Sequence, residues 1–161
     1  MTDRILFLDI DGVLNSNAYL LDNAAKHKGL LIPGRDDDWA VSMIDPARVT
    51  RLNNIINRIS ARVVLSSSWR CGWELERIEG FLRDRDYAHT LEDATPRLYG
   101  QERHVEIKRW LEIYSQPLSC FAILDDDLDA GVGLARHFVH VADGLEDEHV
   151  ETAVRILGGA Q

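Results

Sequence analysis

The stretch "ILFLDIDGVLNS", Ile5–Ser16, carries an apolar run straight into two aspartates one residue apart, Asp9 and Asp11, followed by Gly-Val-Leu-Asn. Four apolar residues in succession, Ile5–Leu8, are the mark of a strand covered on both faces, so the carboxylates stand at the mouth of a buried strand. Charge is costly to bury, and two like charges about 4 Å apart repel by roughly 4 kcal/mol at an effective dielectric near 20. A cation, or a reaction, has to justify them.

Working outward, similar runs occur at Arg62–Ser66 (RVVLS), Phe121–Asp125 (FAILD) and His137–Val141 (HFVHV), with a weaker fifth expected at Tyr87–Thr90. Between them lie segments with a helical stripe. One runs from Asp45 as N-cap and Pro46 at the first helical position through Val49, Leu52, Ile55, Ile56 and Ile59. Others present Leu75, Ile78, Phe81 and Leu82; Ile107, Trp110, Leu111 and Tyr114; and Val150, Ala153, Val154 and Leu157. Alternating strand and helix predicts an α/β fold: a doubly wound, Rossmann-like parallel sheet of about five strands with helices on both faces. Residues 16–44 are expected to form a flap or small cap inserted after the first strand, irregular between Asn23 and Asp38.

A chain of 161 residues, 45% apolar and 28% charged, suits one domain spanning 1–161. Its formal charge of -9 disfavours tight non-specific binding to nucleic acid, which depends on cations displacing phosphate counterions, although a local basic patch is compatible with it. Cys71 and Cys120 have no metal-ligand spacing, so a reduced, cytoplasmic protein is expected. No run reaches the roughly 20 apolar residues of a membrane span, and no stable protein partner is implied.

Three strand ends carry the informative polar residues: Asp9 with Asp11, Ser66 with Ser67, and Asp125 with Asp126. Taken singly, each is as readily a solvated turn. In an open parallel sheet, however, sites form outside the carboxyl ends of the strands, which brings all three clusters to one place. Carboxylates from two strands make an oxygen-rich nest suited to Mg²⁺. An aspartate can attack phosphorus, and a second can protonate the leaving oxygen and then deprotonate water. Hydroxyl and backbone donors after the second strand, with a cation, would hold phosphoryl oxygens.

At this point the motifs resemble those of the haloacid dehalogenase (HAD) superfamily: "LDIDGVLN" its first, "VVLSSSWR" its second and "ILDDD" its acidic fourth. "VVLSSSWR", "EIKRWL" and the late "GL" further resemble a small-cap branch akin to the phosphatase domains of polynucleotide-repair enzymes. The resemblance implies Asp9 as nucleophile and metal ligand, and Asp11 as general acid/base lending Mg²⁺ its backbone carbonyl. It implies Ser66 as the phosphoryl-binding residue with Ser67 close by, and Asp126 as the main distal metal ligand beside Asp125. The third-motif cation is left between Arg103, favoured because it opens its helix, and Lys108, deeper in the same helix. Arg70 is a further candidate for substrate phosphate.

Other residues have competing readings. Trp39, Trp69 and Trp73 suit packing, with base stacking as the alternative; His137 and His140, three apart on a strand, face opposite sides and do not suit a shared metal. "RDDDW" is expected to be a solvated loop. The function expected is a Mg²⁺-dependent phosphomonoester hydrolase forming an aspartyl-phosphate, acting on a nucleotide or nucleic-acid terminal phosphate. The alternatives are a sugar-phosphate phosphatase, a receiver-like domain that accepts phosphate without turnover, and a catalytically silent binding protein.

Overall fold

β1 (Arg4–Leu8) is the central strand of a five-stranded, all-parallel sheet in which β2 (Arg62–Leu65) and β3 (Leu91–Ala94) extend to one side, and β4 (Cys120–Asp125) and β5 (Phe138–His140) to the other. The order β3-β2-β1-β4-β5 reverses direction at β1, so the crevice at its carboxyl end is the topological switch point. The computed structural model of the chain describes residues 3–26, 37–114 and 120–159. The helices are α1 (Asn17–Lys26), α2 (Asp37–Ser42), α3 (Pro46–Ile59), α4 (Leu75–Arg83), α5 (Arg103–Ile113) and α6 (Asp147–Leu157). None of the described helices is long and apolar enough to cross a membrane.

The period-2 geometry of β1 sorts its side chains onto two fully buried faces. Leu6 and Leu8 join Val49, Leu52 and Ile55 of α3, Ile78 and Leu82 of α4, and Val150 and Leu157 of α6 in the larger core. Ile5 and Phe7 pack with Ile107 and Trp110 of α5 on the other face. At the amino end of β1, Arg4 donates to the carbonyls of Ile59 and Leu157, tying together the last turns of α3 and α6. The α3 boundary follows the sequence closely: Asp45 accepts a hydrogen bond from the Ala47 N–H, and Ser60 closes the helix in the left-handed region.

Two local expectations need correction. The fifth strand lies at Leu91–Ala94, not at Tyr87–Thr90. Asp86 takes a positive φ of 67°, and the buried Tyr87 hydroxyl bonds to the Thr90 carbonyl, so that segment is the turn that delivers the chain to β3. The strand itself, LEDA, was hidden by its acidic composition: an edge strand exposes half of its residues, here Glu92 and Asp93. The segment between β1 and α3 is also more regular than its composition suggested. Asn23 belongs to α1, and Asp37 and Asp38 form the first turn of α2; residues 27–36 of that segment lie outside the described residues.

Candidate active site

The carboxyl ends of β1 and β4 lie side by side because Leu8 pairs with Leu124 and the Asp9 N–H donates to the Leu124 carbonyl. That register sets Asp9 beside Asp125, and the next residue adds Asp126; carboxylate oxygens of the three lie within 4.8 Å of one another. Asp9 and Asp126 open onto a cavity of about 520 Å³, also lined by Asp11, Ser68, Arg103, Asp127, Leu128 and His140, with Asp125 behind them. Asp9 and Asp125 are buried, whereas Asp126 is exposed at the rim. Gly12 permits this closeness: it has φ of +73°, and a Cβ there would lie 2.5 Å from the Asp126 carboxyl carbon.

Arg103 is the cation in the crevice. Its Nη1 lies 2.7 Å from Asp9 Oδ2 and 2.8 Å from Asp125 Oδ2. It stands there because α5 begins at this end of the sheet, with the Asp129 carboxylate accepting the Arg103 N–H at 2.7 Å and so fixing the helix start. Lys108, more than a turn further on, reaches Gly133 instead. Burial opposes the Arg103 charge, but attraction to Asp9 and Asp125 outweighs it and raises the guanidinium's pKa.

One guanidinium does not neutralise the cluster. Burial raises the pKa of Asp9 against the pull of Arg103, and burial together with repulsion from Asp9 pushes Asp125 up to about 7. Asp9 Oδ1, moreover, is buried without a hydrogen-bond partner among the described residues. Clustered oxygen donors, excess negative charge and an unpartnered carboxylate oxygen fit a hard divalent cation.

The serines divide. Ser66 directly follows β2, with its hydroxyl fully buried and without a partner among the described residues, away from the cavity wall. Ser67 lies near enough to Asp9 to favour its charged form and accepts the Trp69 N–H, and Ser68 lines the cavity. Arg70 is not brought to the carboxylates as a phosphate ligand. Its Nε donates to the Thr95 carbonyl at 3.0 Å, Nη1 to the carbonyls of Ser66 and Ser67 at 2.5 and 2.6 Å, and Nη2 pairs with buried Glu106. A guanidinium with its nitrogens occupied in this way holds the serine loop in shape. The sequence shows the charge of Arg70 but not the carbonyls that surround it.

Asp11 is held by contacts that sequence reading missed. The Trp69 indole N–H donates to Asp11 Oδ2 at 2.9 Å, and Asn15 Nδ2 to Oδ1 at 3.3 Å. Asn15 is itself fixed, accepting the Gly12 N–H and donating to the Met43 carbonyl. Trp69 is only 6% exposed and packs at 6.3 Å from Trp39 of α2 and 5.2 Å from Trp73, which rules it out as a platform for a base. The spacing Trp-x₃-Trp on a turn was the available signal, and it pointed to packing. His140 is a second addition, lining the cavity with Nε2 at 3.0 Å from the Asp126 carbonyl. His137 instead stacks on Phe121, so the two histidines are separated as their strand positions require.

Residues 5–150 match the family described as the HAD domain in Swiss Army Knife RNA repair proteins, and the chain belongs to that family. A haloacid dehalogenase-like family hydrolase from Streptococcus pneumoniae shares the fold, with a TM-score of 0.50 and 11% identity over 94% of this chain and 90% of that one. No curated protein matches the chain. Fold and family thus define a HAD superfamily hydrolase domain, a superfamily that generally uses Mg²⁺.

Proposed function

We propose that the protein is a phosphomonoester hydrolase working through a covalent aspartyl-phosphate on Asp9, with a nucleotide or nucleic-acid end as the alcohol it releases. The observation that carries this reading is the asymmetry of Asp9: Oδ2 is held by Arg103, while Oδ1 is buried and unpartnered in a carboxylate that faces the cavity. An oxygen held in place and short of hydrogen bonds is a preorganised nucleophile.

An Asp9 oxygen attacks phosphorus, and the bond from phosphorus to the ester oxygen breaks. Asp11, two residues along, gives its proton to the departing alkoxide, which leaves as the alcohol. A water then attacks the phosphoryl-aspartate, Asp11 takes the water's proton, and phosphate leaves Asp9 as it began. Arg103 balances charge on the phosphoryl oxygens and orients Asp9, and Ser67 and Ser68 supply hydroxyl donors near them. Ser66, just after β2, offers its carbonyl to Arg70. Asp9, Asp126 and the Asp11 backbone carbonyl, with Asp125 behind, are the groups that would hold Mg²⁺, which when bound neutralises charge on phosphate.

The nucleic-acid reading draws on the family description, which places such domains in RNA repair proteins. Turnover should be measured with Mg²⁺ on 3'- and 5'-phosphorylated oligonucleotides, mononucleotides and hexose phosphates, for the wild type and Asp9→Asn. The expected result is release of phosphate, best from the nucleotide-containing substrates, and a loss of roughly 10³-fold or more in Asp9→Asn, about 4 kcal/mol of barrier. Near-wild-type hydrolysis by Asp9→Asn overturns covalent catalysis at Asp9. Stable phosphorylation by acetyl phosphate without turnover would support the receiver-like alternative, and preference for hexose phosphate the metabolite phosphatase.

A further inference from the structure

A second cavity, of about 470 Å³, adjoins the first and shares Ser68, Arg103 and Asp127 with it. Its outer wall is the loop between β3 and α5, which presents Arg97 and Tyr99. Tyr99 is 93% exposed, the most exposed of the large hydrophobic side chains described. Arg97 is also exposed, and no carboxylate among the described residues pairs with it. Most other arginines near the site are occupied: Arg103 by Asp9 and Asp125, Arg70 by carbonyls and Glu106.

The backbone of the loop that carries these two side chains is tied down. Buried Glu106 accepts the Leu98 N–H at 2.8 Å through one oxygen and pairs with Arg70 through the other. The Gln101 N–H then closes the turn onto the Leu98 carbonyl at 3.0 Å. Since Arg70 also grips the carbonyls of Ser66 and Ser67, the loop bearing Arg97 and Tyr99 is tied through two side chains to the serine loop beside Asp9. Of the acidic groups on this wall, Asp129 accepts the Arg103 N–H and pairs with His104, Asp127 accepts the Asp129 N–H, and exposed Glu102 lies 3.6 Å from His104.

We propose that this groove is the subsite for the leaving strand of a single-stranded nucleic acid, with the base of the nucleotide that bears the scissile phosphate stacked on Tyr99 and the next backbone phosphate on Arg97. It rests on the phosphatase reading above and names what lies beyond the ester oxygen. An exposed ring beside an unpaired guanidinium is the combination that holds single strands, because every base offers a π-face and every linkage a charge. A hexose phosphate has neither partner to offer. The tether fixes the loop backbone relative to the serine loop beside Asp9, so Arg97 and Tyr99 reach out from a defined point next to the site.

The test compares wild type, Tyr99→Ala and Arg97→Ala in two assays. In turnover, the readout is kcat/KM for a phosphorylated oligonucleotide divided by kcat/KM for p-nitrophenyl phosphate, measured for 3' and 5' ends and at several salt concentrations. Tyr99→Ala should lower that ratio roughly tenfold. Arg97→Ala should lower it as well and flatten the logarithmic salt dependence by about 0.7, the loss of one single-strand phosphate contact. In binding, the same changes made in an Asp9→Asn background should weaken the anisotropy signal of a fluorescent phosphorylated oligonucleotide in Mg²⁺ by a similar factor. Unchanged ratios and unchanged binding in both variants overturn the subsite even if phosphatase activity is robust. If the wild type hydrolyses no phosphate ester, the phosphatase reading fails, and the binding assay alone then decides whether the groove holds a strand.

Discussion

Asp11 has both carboxylate oxygens engaged, one by the Trp69 indole and the other by Asn15. That arrangement gives Trp69 a task separable from its packing: it fixes where the proposed proton donor points. Trp69→Phe keeps an aromatic ring against Trp39, Trp73 and Phe81 but removes the N–H together with part of the indole's volume. Stability should fall by roughly 1–3 kcal/mol, less than the ~3–5 kcal/mol typical of truncating a buried Trp to Ala, because only part of the ring system is lost. Turnover of an alkyl phosphate should fall about tenfold, while that of p-nitrophenyl phosphate, whose leaving group needs little proton assistance, should fall much less. Equal losses on both would show that the indole serves only to pack. At this scale the sequence displayed every acidic residue of the site, and it favoured Arg103 over Lys108 from helix position alone. The indole donor was not legible, since nothing in "SSSWRCGW" says that a ring 58 residues away in sequence meets Asp11.

Among the elements, the one that does most for the site without touching substrate is the link from the serine loop through Arg70 and Glu106 to the β3–α5 loop. Both side chains are about nine-tenths buried. Arg70→Ala strands the Glu106 carboxylate and three carbonyls, those of Ser66, Ser67 and Thr95, and breaking a buried pair from one side typically costs about 3–5 kcal/mol. Chemical denaturation should show a loss of that order, and Arg70→Ala/Glu106→Ala should recover part of it by removing the orphaned charge. A loss under 1 kcal/mol in the single variant would mean that the loop relaxes and rehydrates. Helix positions were readable because α3, α4, α5 and α6 each carry a stripe at helical spacing. β3 was misplaced because an edge strand covered on one side offers four residues of mixed polarity and no continuous apolar run.

For the whole molecule, doubly wound topology concentrates negative charge at one end of the sheet, and that has a thermodynamic consequence. Asp9, Asp125 and Asp126 repel one another across the β1–β4 junction, with Arg103 as partial relief. A cation that binds only the folded arrangement stabilises it by mass action, about 2.7 kcal/mol at a hundredfold excess over its dissociation constant. Thermal melts should therefore rise by roughly 5–10 °C on adding Mg²⁺ and return on chelation. Asp126→Ala should remove the effect while remaining folded, because its side chain is exposed and supports no core. Melting that ignores Mg²⁺, or that responds only to Zn²⁺, would contradict the reading of this cluster as a hard-cation site.

The sequence by itself determined the parallel α/β architecture and the convergence of Asp9, Asp11, Asp125 and Asp126, for one physical reason. Strand and helix periodicities are local, and a polar residue ending a buried apolar run is conspicuous wherever the strand lies in the sheet. Tertiary structure decided what the cations and aromatics do. Arg70 and Arg103 are equally plausible phosphate ligands as letters. One is surrounded by carbonyls and a buried glutamate, the other by two carboxylates, and those surroundings come from residues between 3 and 94 positions away. Trp69 became a hydrogen-bond donor inside a packed cluster, while Tyr99 and Arg97, unremarked in the sequence, were left exposed beside the site. Long side chains with one charge or one ring take their roles from neighbours supplied by distant strands, and only the folded sheet brings those neighbours together.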